Sequence, residues 1–297
     1  MNATFVLIVA MLAAGQLCAR LRAFPDNAAD TLNRFVIYVC LPALVLQHVP
    51  KLHWNPQLYV LALAPWLALI ASVLVVLAAA RIMHFSRNVL AALLLCVPLG
   101  NTSFLGFPMI AALVGDDAVQ YAVIYDQLGS FLILSTYGIT VLASFSGQGR
   151  PTLRDIALRI VRFPPFLALV VALLPLPALP LLTSLTTRLG ETLVPLAMFA
   201  VGMKLEFRPS ALKDWRALVF GLGAKMLLMP LLVLGLTHVL GTQPVPARVA
   251  LLEAAMPPMI TAGALAGMAG FAPELAAALV GYGVLLALFT LPLLAAW

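Results

Sequence analysis

Apolar runs long enough to cross a bilayer recur ten times along this chain, separated by short polar punctuation. They lie at approximately 4–21, 34–50, 57–81, 89–114, 118–145, 160–182, 184–204, 215–240, 247–269 and 273–296. A helix needs roughly 20 mostly apolar residues to cross about 30 Å of hydrocarbon. In lipid the backbone must satisfy its own hydrogen bonds, so each run is expected to be helical. Composition agrees: 63% of the 297 residues are hydrophobic and 9% charged, whereas soluble domains carry about 25% charged residues. One soluble core stops growing near this length, so the bilayer has to solvate most of the chain. The expected fold class is an all-α integral membrane protein of ten transmembrane helices. The turn between the sixth and seventh is marked by Pro175, Pro177 and Pro180.

Charge tests the count independently. The loops after odd-numbered helices hold thirteen basic residues, among them Arg20, Arg87, Arg154 and Lys213, and the even loops hold Lys51, Arg188 and Arg248. The seventeenth, Lys225, lies inside a run. Lys and Arg gather on the cytoplasmic side, so the odd loops are expected inside and both termini outside. A miscounted helix would scramble this alternation. Met1-Asn2-Ala3-Thr4 lacks a basic leader segment, so the first run reads as a spanning helix and not as a signal peptide. The formal charge of +6 is scattered through short gaps and forms no face, which argues against a nucleic-acid partner. Cys18, Cys40 and Cys96 sit singly in apolar runs without metal-ligand or disulfide spacing. Arg outnumbers Lys by 13 to 4, which suits a GC-rich bacterial source and hence an inner membrane.

The longest polar linker, beginning Ser146-Gly147-Gln148-Gly149-Arg150, falls almost midway. It divides the chain into a first five-helix unit (1–146), a cytoplasmic linker (147–155) and a second five-helix unit (156–297). Five helices per unit force the second to run inverted relative to the first, a transporter signature. The units also echo each other around Pro42 and Pro195, and around Pro98 and Pro257.

The richest stretch is Val97-Pro98-Leu99-Gly100-Asn101-Thr102-Ser103-Phe104-Leu105-Gly106-Phe107-Pro108, at the middle of the fourth run. Pro98 removes an amide donor and Gly100 loosens the backbone. Asn101, Thr102 and Ser103 are the residue types that cap a restarting helix. The ninth run breaks at Pro257-Pro258, with Thr261 just beyond. Pro98, Pro108 and Pro257 are the expected crossover breaks. Broken backbone at mid-membrane is tolerated only inside protein or against a wet cavity. Two antiparallel helices broken at one depth would cross there and aim free N–H groups and positive dipole ends at the crossing. That geometry suits a carboxylate, with Gly100, Asn101, Thr102, Ser103, Pro257, Pro258 and Thr261 as the expected substrate-binding residues. Ordinary proline kinks are the bland alternative.

Asp126, Lys225 and Glu253 lie inside runs, where a charge needs a partner or a function. Lys225 is a candidate countercharge, and Asp126 or Glu253 a candidate proton or cation acceptor. A structural ion pair is the competing account. His48, His53, His84 and His238 fall near helix ends and share no metal spacing. Asp116-Asp117 reads as an outer cap of the fifth helix, and Trp54, Trp66, Trp215 and Trp297 as interface anchors. Ala262, Gly263, Ala266, Gly267 and Gly270 suggest close helix packing. No phosphate loop or catalytic triad appears.

These residues resemble the auxin efflux carrier family, within the bile acid/sodium symporter-like superfamily. The resemblance spans essentially the whole chain. It rests on Leu41-Pro42-Ala43-Leu44, Gly100-Asn101-Thr102 with Leu105-Gly106-Phe107-Pro108, Leu193-Val194-Pro195-Leu196-Ala197 with Gly202, Lys225 with Pro230, and Ala254-Ala255-Met256-Pro257. It implies two inverted five-helix repeats: a scaffold of helices 1, 2, 6 and 7, and a transport domain of helices 3–5 and 8–10. The broken helices 4 and 9 would cross in the transport domain and bind an organic anion. Members look like elevator-type carriers, often homodimeric through the scaffold, and bacterial members are linked to dicarboxylates such as malonate or malate. Thr261 departs from the Asn usual in the family, and the ninth run itself lacks the aromatic expected near Gly270, Phe271 falling just beyond it.

The expectation is therefore a secondary carrier for a small organic anion, auxin-like or a dicarboxylate. It needs no cofactor and is driven by protons, sodium or the membrane potential, with Asp126 favouring protons. A sodium-coupled bile-acid-like symporter is the alternative. A membrane-embedded enzyme or sensor would need a nucleophile, base or metal cluster at one depth, and a channel a ring of repeated polar residues.

Overall fold

The computed structural model describes residues 3–52, 58–147, 151–174, 179–206 and 213–296. The expectations for His53, Trp54, Arg150, Pro175, Pro177, Arg208 and Trp297 lie outside these residues.

The described chain is helical throughout. The helices are α1 (Ala3–Arg20), α2 (Ala28–Lys51), α3 (Leu58–Met83), α4 (Arg87–Cys96), α5 (Thr102–Leu113), α6 (Asp116–Ser146) and α7 (Leu153–Val161). They continue as α8 (Pro164–Ala172), α9 (Pro180–Glu191), α10 (Leu193–Lys204), α11 (Trp215–Val239), α12 (Pro244–Ala254), α13 (Ile260–Met268) and α14 (Pro273–Ala295). Six of them, α1, α2, α3, α6, α11 and α14, are each long and apolar enough to cross a membrane. With its several apolar helices the chain is a multi-pass membrane protein.

Apolar residues cover both sides of the long helices. On α3, Leu61, Ala64, Pro65, Leu69 and Val76 are buried, while Leu63, Leu67, Ile70 and Leu74 are exposed on the opposite face. A helix apolar all round has lipid as its outer solvent.

The sixth expected span, 160–182, is built differently. Phe163 is extended (φ −81°, ψ 114°) and separates α7 from α8. Pro164 disfavours the helical conformation in the residue before it, then starts the next helix itself. α7 opens on a capping box in which the Thr152 hydroxyl accepts from the Asp155 amide and the Asp155 carboxylate accepts from Thr152. Those bonds to Thr152 hold the exposed Asp155 carboxyl below its ordinary pKa. The second span starts earlier than expected, at Ala28, because the polar turn through Asp30 and Arg34 is already helical.

Three helices widen into π turns ahead of a proline: α2 over Val36–Cys40 before Pro42, α5 over Thr102–Gly106 before Pro108, and α11 over Ala224–Leu228 before Pro230. A proline ring strikes the carbonyl four residues back and donates no bond. A turn with wider spacing relieves both problems, and such turns cluster at functional sites. In α6 a π turn at Asp126–Ser130 carries Gly129, whose absent Cβ would stand 2.1 Å from the Pro65 ring of α3.

Packing joins α1 closely to α10, and sets the second half of α2 against α8 and α9. On the α1–α10 seam a Cβ on Gly15 would fall 2.1 Å from the Phe199 carbonyl oxygen, and one on Gly202 2.2 Å from that of Leu12. Small residues allow this approach where lipid supplies no hydrophobic drive. Elsewhere α3 packs on α6, α11 and α12, and α4 on α13 and α14.

Two polar side chains find partners inside this packing. His48 is buried and its Nε2 lies 3.8 Å from the carboxylate of Asp116, which is itself largely exposed. Trp66 sits within α3 and donates from Nε1 to the Leu128 carbonyl at 2.9 Å, so it ties α3 to α6. An apolar bundle gives polar tips partners that the sequence does not reveal.

Candidate functional site

Two helices stop at the centre of the molecule. α4 ends at Cys96, and the backbone runs through Val97–Asn101 before α5 restarts. α12 ends at Ala254, and the chain passes through Ala255–Met259 before α13. The interruptions meet as a single antiparallel bridge between Gly100 and Pro258. The Asn101 amide donates to the Pro257 carbonyl and the Met259 amide to the Leu99 carbonyl, each at 2.8 Å. These bonds satisfy backbone groups that the missing turns leave open, as an apolar interior demands. They also fix the starts of α5 and α13 beside one another. The first amides of each helix have no partner within it, and the positive dipole ends converge here.

Residues on the first crossing segment alternate between two sides. Asn101 and Ser103 line a cavity of about 240 Å³. Gly100 and Thr102 line a much smaller one, of about 10 Å³, with Pro98.

The larger cavity also takes Asp126, Phe131 and Ser135 from α6, and Met259 and Thr261 at the head of α13. Ile37 and Leu41 of α2, Arg159 of α7 and Phe163 close the far side. The Phe131 and Phe163 rings stack with centroids 4.0 Å apart and form part of this wall. Ile37, Phe104 and Thr261 also line an open vestibule of about 470 Å³ that carries Arg34 and Lys204. The cavity therefore adjoins a vestibule that carries Arg34 beside the Lys204–Asp30 ion pair.

Thr102 and Ser103 do not cap α5 as the sequence suggests. Their hydroxyls donate to Asp126 Oδ1 at 2.5 and 2.6 Å, and Gln127 Nε2 donates to Oδ2 at 2.7 Å. A carboxylate is the stronger acceptor, and bonds to a charged group contribute roughly 1.5–3 kcal/mol each. Asn101 makes no side-chain cap bond either. It is 1% exposed, and its Nδ2 has no partner among the described residues. A buried amide donor on a cavity wall is therefore left for something else to accept.

On the other side, Lys225 and Glu253 border the smaller cavity with Tyr125 and Ser130. Lys225 Nζ donates to the Ala254 carbonyl at 3.2 Å and so closes the end of α12. Its Nζ would stand 2.9 Å from a Cβ on Gly100. Glu253 is fully buried, and neither carboxylate oxygen has a hydrogen-bond partner among the described residues. Among those residues no salt bridge joins Asp126, Lys225 and Glu253. The structure thus gathers the sequence candidates at one crossing and splits them between two faces. Pro108 stands apart, in the first turn after the π segment of α5.

Arg159, Phe131, Ser135 and Phe163 were not legible as site residues. Arg159 reads only as one positive charge in a loop, and nothing local shows that α7 reaches the crossing. No cluster of three or more His, Cys, Asp or Glu suited to a metal occurs among the described residues.

Comparison with known proteins gives one family. A family described as membrane transport protein matches residues 1–151 and 152–295. An uncharacterised transporter of Methanothermobacter thermautotrophicus is 27% identical, over 98% of this chain and 96% of its own length. Another, from Methanocaldococcus jannaschii, is 26% identical over 78% of this chain and 77% of its own.

Proposed function

The chain belongs to the membrane transport protein family, the auxin efflux carrier family its motifs resemble, and from that premise we propose that it is a secondary active carrier for a small organic anion. It is a membrane transporter and not an enzyme. In this reading the ten spans form two inverted five-helix repeats, with both termini outside a bacterial inner membrane. Helices α1, α2 and α7–α10 act as a scaffold, through which two copies pair. Helices α3–α6 and α11–α14 form the moving transport domain of an elevator. The substrate is a carboxylate such as malonate or malate.

One observation carries the proposal: the buried Asn101 side-chain Nδ2, unpartnered among the described residues, opens onto a cavity where two helix N-termini converge. Helix N-termini attract anions, and an amide donor without a partner gains most from a charged acceptor. Arg159 on the facing wall suits a second carboxylate. The volume of about 240 Å³ falls below the roughly 300–1,000 Å³ of drug-sized pockets, which favours a few-carbon acid over a bile acid. Phe104, Phe131 and Phe163 on the wall keep an auxin-like aromatic acid as the second reading.

Purified protein in liposomes tests this. Labelled malonate or malate is expected to accumulate under an imposed gradient, with indole-acetate as the competing probe. Stimulated uptake should vanish in Asn101→Ala. Uptake untouched by that substitution would refute the site.

A further inference from the structure

Asp126 and Glu253 occupy opposite faces of the same crossing in opposite conditions. Asp126 receives three side-chain hydrogen bonds, which replace much of the water its carboxyl loses on burial. Glu253 is fully buried and receives none among the described residues. An ionised carboxylate stripped of water and donors is expensive, and a proton removes that cost. The adjoining cavity, about 10 Å³, is close to the smallest space that holds one water molecule.

We propose that Glu253 is the proton-binding site of the carrier, behind the crossing and away from the substrate cavity, and that its protonation couples anion movement to a proton gradient. This rests on the carrier reading above and assigns the drive that reading leaves open.

The charges and titratable groups that face Glu253 are few. α11 supplies Lys225, and α6 supplies Tyr125 and, further off, Asp126. α3 contributes the uncharged Pro65 and Ala68, α5 contributes Thr102, and α14 does not line the cavity. Protonation of Glu253 removes one negative charge from the crossing, whatever the states of Asp126, Lys225 and Arg159 around it. An incoming anion therefore meets one unit more of repulsion while Glu253 is ionised than once it is protonated, when the helix dipoles act on it with less opposition. Anion and proton therefore load together. Loading forms one O–H bond on a Glu253 oxygen, and unloading breaks that bond and returns the proton to water on the other side.

Contact with the broken helix links the two events. A Cβ on Gly106 would lie 2.6 Å from Glu253 Oε2, so the carboxyl rests against the π turn of α5, at whose start Asn101 and Ser103 line the substrate cavity. Lys225 presses similarly on Gly100.

Infrared difference spectra of the full chain in lipid nanodiscs, recorded between acidic and alkaline buffer, test the assignment without any substrate. A protonated-carboxyl stretch should titrate in the wild type, persist in Asp126→Asn, shift in Glu253→Asp and disappear in Glu253→Gln. Persistence in Glu253→Gln or loss in Asp126→Asn overturns the proposal, and Glu253→Asp guards against a misfolded variant. In liposomes, Glu253→Gln should lose proton-gradient stimulation of malonate uptake by roughly tenfold while keeping malonate counterflow. Stimulation by sodium in place of protons would also overturn it. If no protein moves malonate, that substrate assignment fails, and the infrared result still decides the proton site.

Discussion

The two interruptions share a backbone bridge and differ in almost everything else. The first, at Val97–Asn101, is rich in side-chain chemistry: Asn101 turns to the cavity an Nδ2 with no partner among the described residues, and Thr102 and Ser103 just beyond it hold Asp126. The second, at Ala255–Met259, is apolar, and its contributions are main-chain carbonyls and amides, with Lys225 closing the helix before it. The crossing therefore combines one element that chooses by side chain with one that supports by backbone. Substitutions should tell on the first through what they remove, and on the second through the partners of its carbonyls.

The largest expected effect strips the first side. Thr102→Val combined with Ser103→Ala leaves Asp126 with one donor and should destabilise the protein by about 3–5 kcal/mol, seen as a lowered thermal midpoint in detergent. The matching apolar swap on the second side, Met259→Leu, should cost under about 1.5 kcal/mol. Equal losses would erase the distinction. Next, Lys225→Met exposes the Ala254 carbonyl without a donor and should cost about 1–3 kcal/mol, which would show that the second interruption depends on what caps it. Gly106→Ala forces a methyl against the Glu253 carboxylate and should cost about 1–3 kcal/mol through overpacking, again read by thermal unfolding. The smallest effect is a gain. Thr261→Asn adds an amide at the head of α13 and should raise apparent malonate affinity about 2- to 10-fold in counterflow.

Much of this was visible in the sequence, for reasons tied to particular residues. Proline and glycine constrain the chain locally, so Pro98, Gly100 and Pro257-Pro258 announce their breaks wherever the helices end up. Apolar run length fixes α3 and α14 because lipid imposes one thickness. The sixth span was not readable in the same way: Arg154 to Val161 looks like loop charge followed by helix, and only the Pro164-Pro165 pair hints at the stop before α8. The partners of the polar groups were hidden as well. Thr102 and Ser103 carry the signature of caps, and only the arrival of Asp126 from a different helix turns them into donors to a carboxylate. Glu253 sits one residue before the end of α12, a position that spacing alone places within reach of the interface. Its full burial depends on α5, α6 and α11 closing around it. Spacing along a helix records what a residue does to its own backbone, and long-range packing decides what its tip meets.

The account stands on the anion resting where the two interruptions meet. In a background lacking Cys18, Cys40 and Cys96, Thr261→Cys places a thiol on the cavity wall, and Met268→Cys places a control at the exposed far end of α13. Malonate at saturating concentration should slow alkylation at position 261 about tenfold and leave position 268 unchanged. Equal rates at position 261 with and without malonate, in protein that still transports it, would place the anion elsewhere and contradict the account.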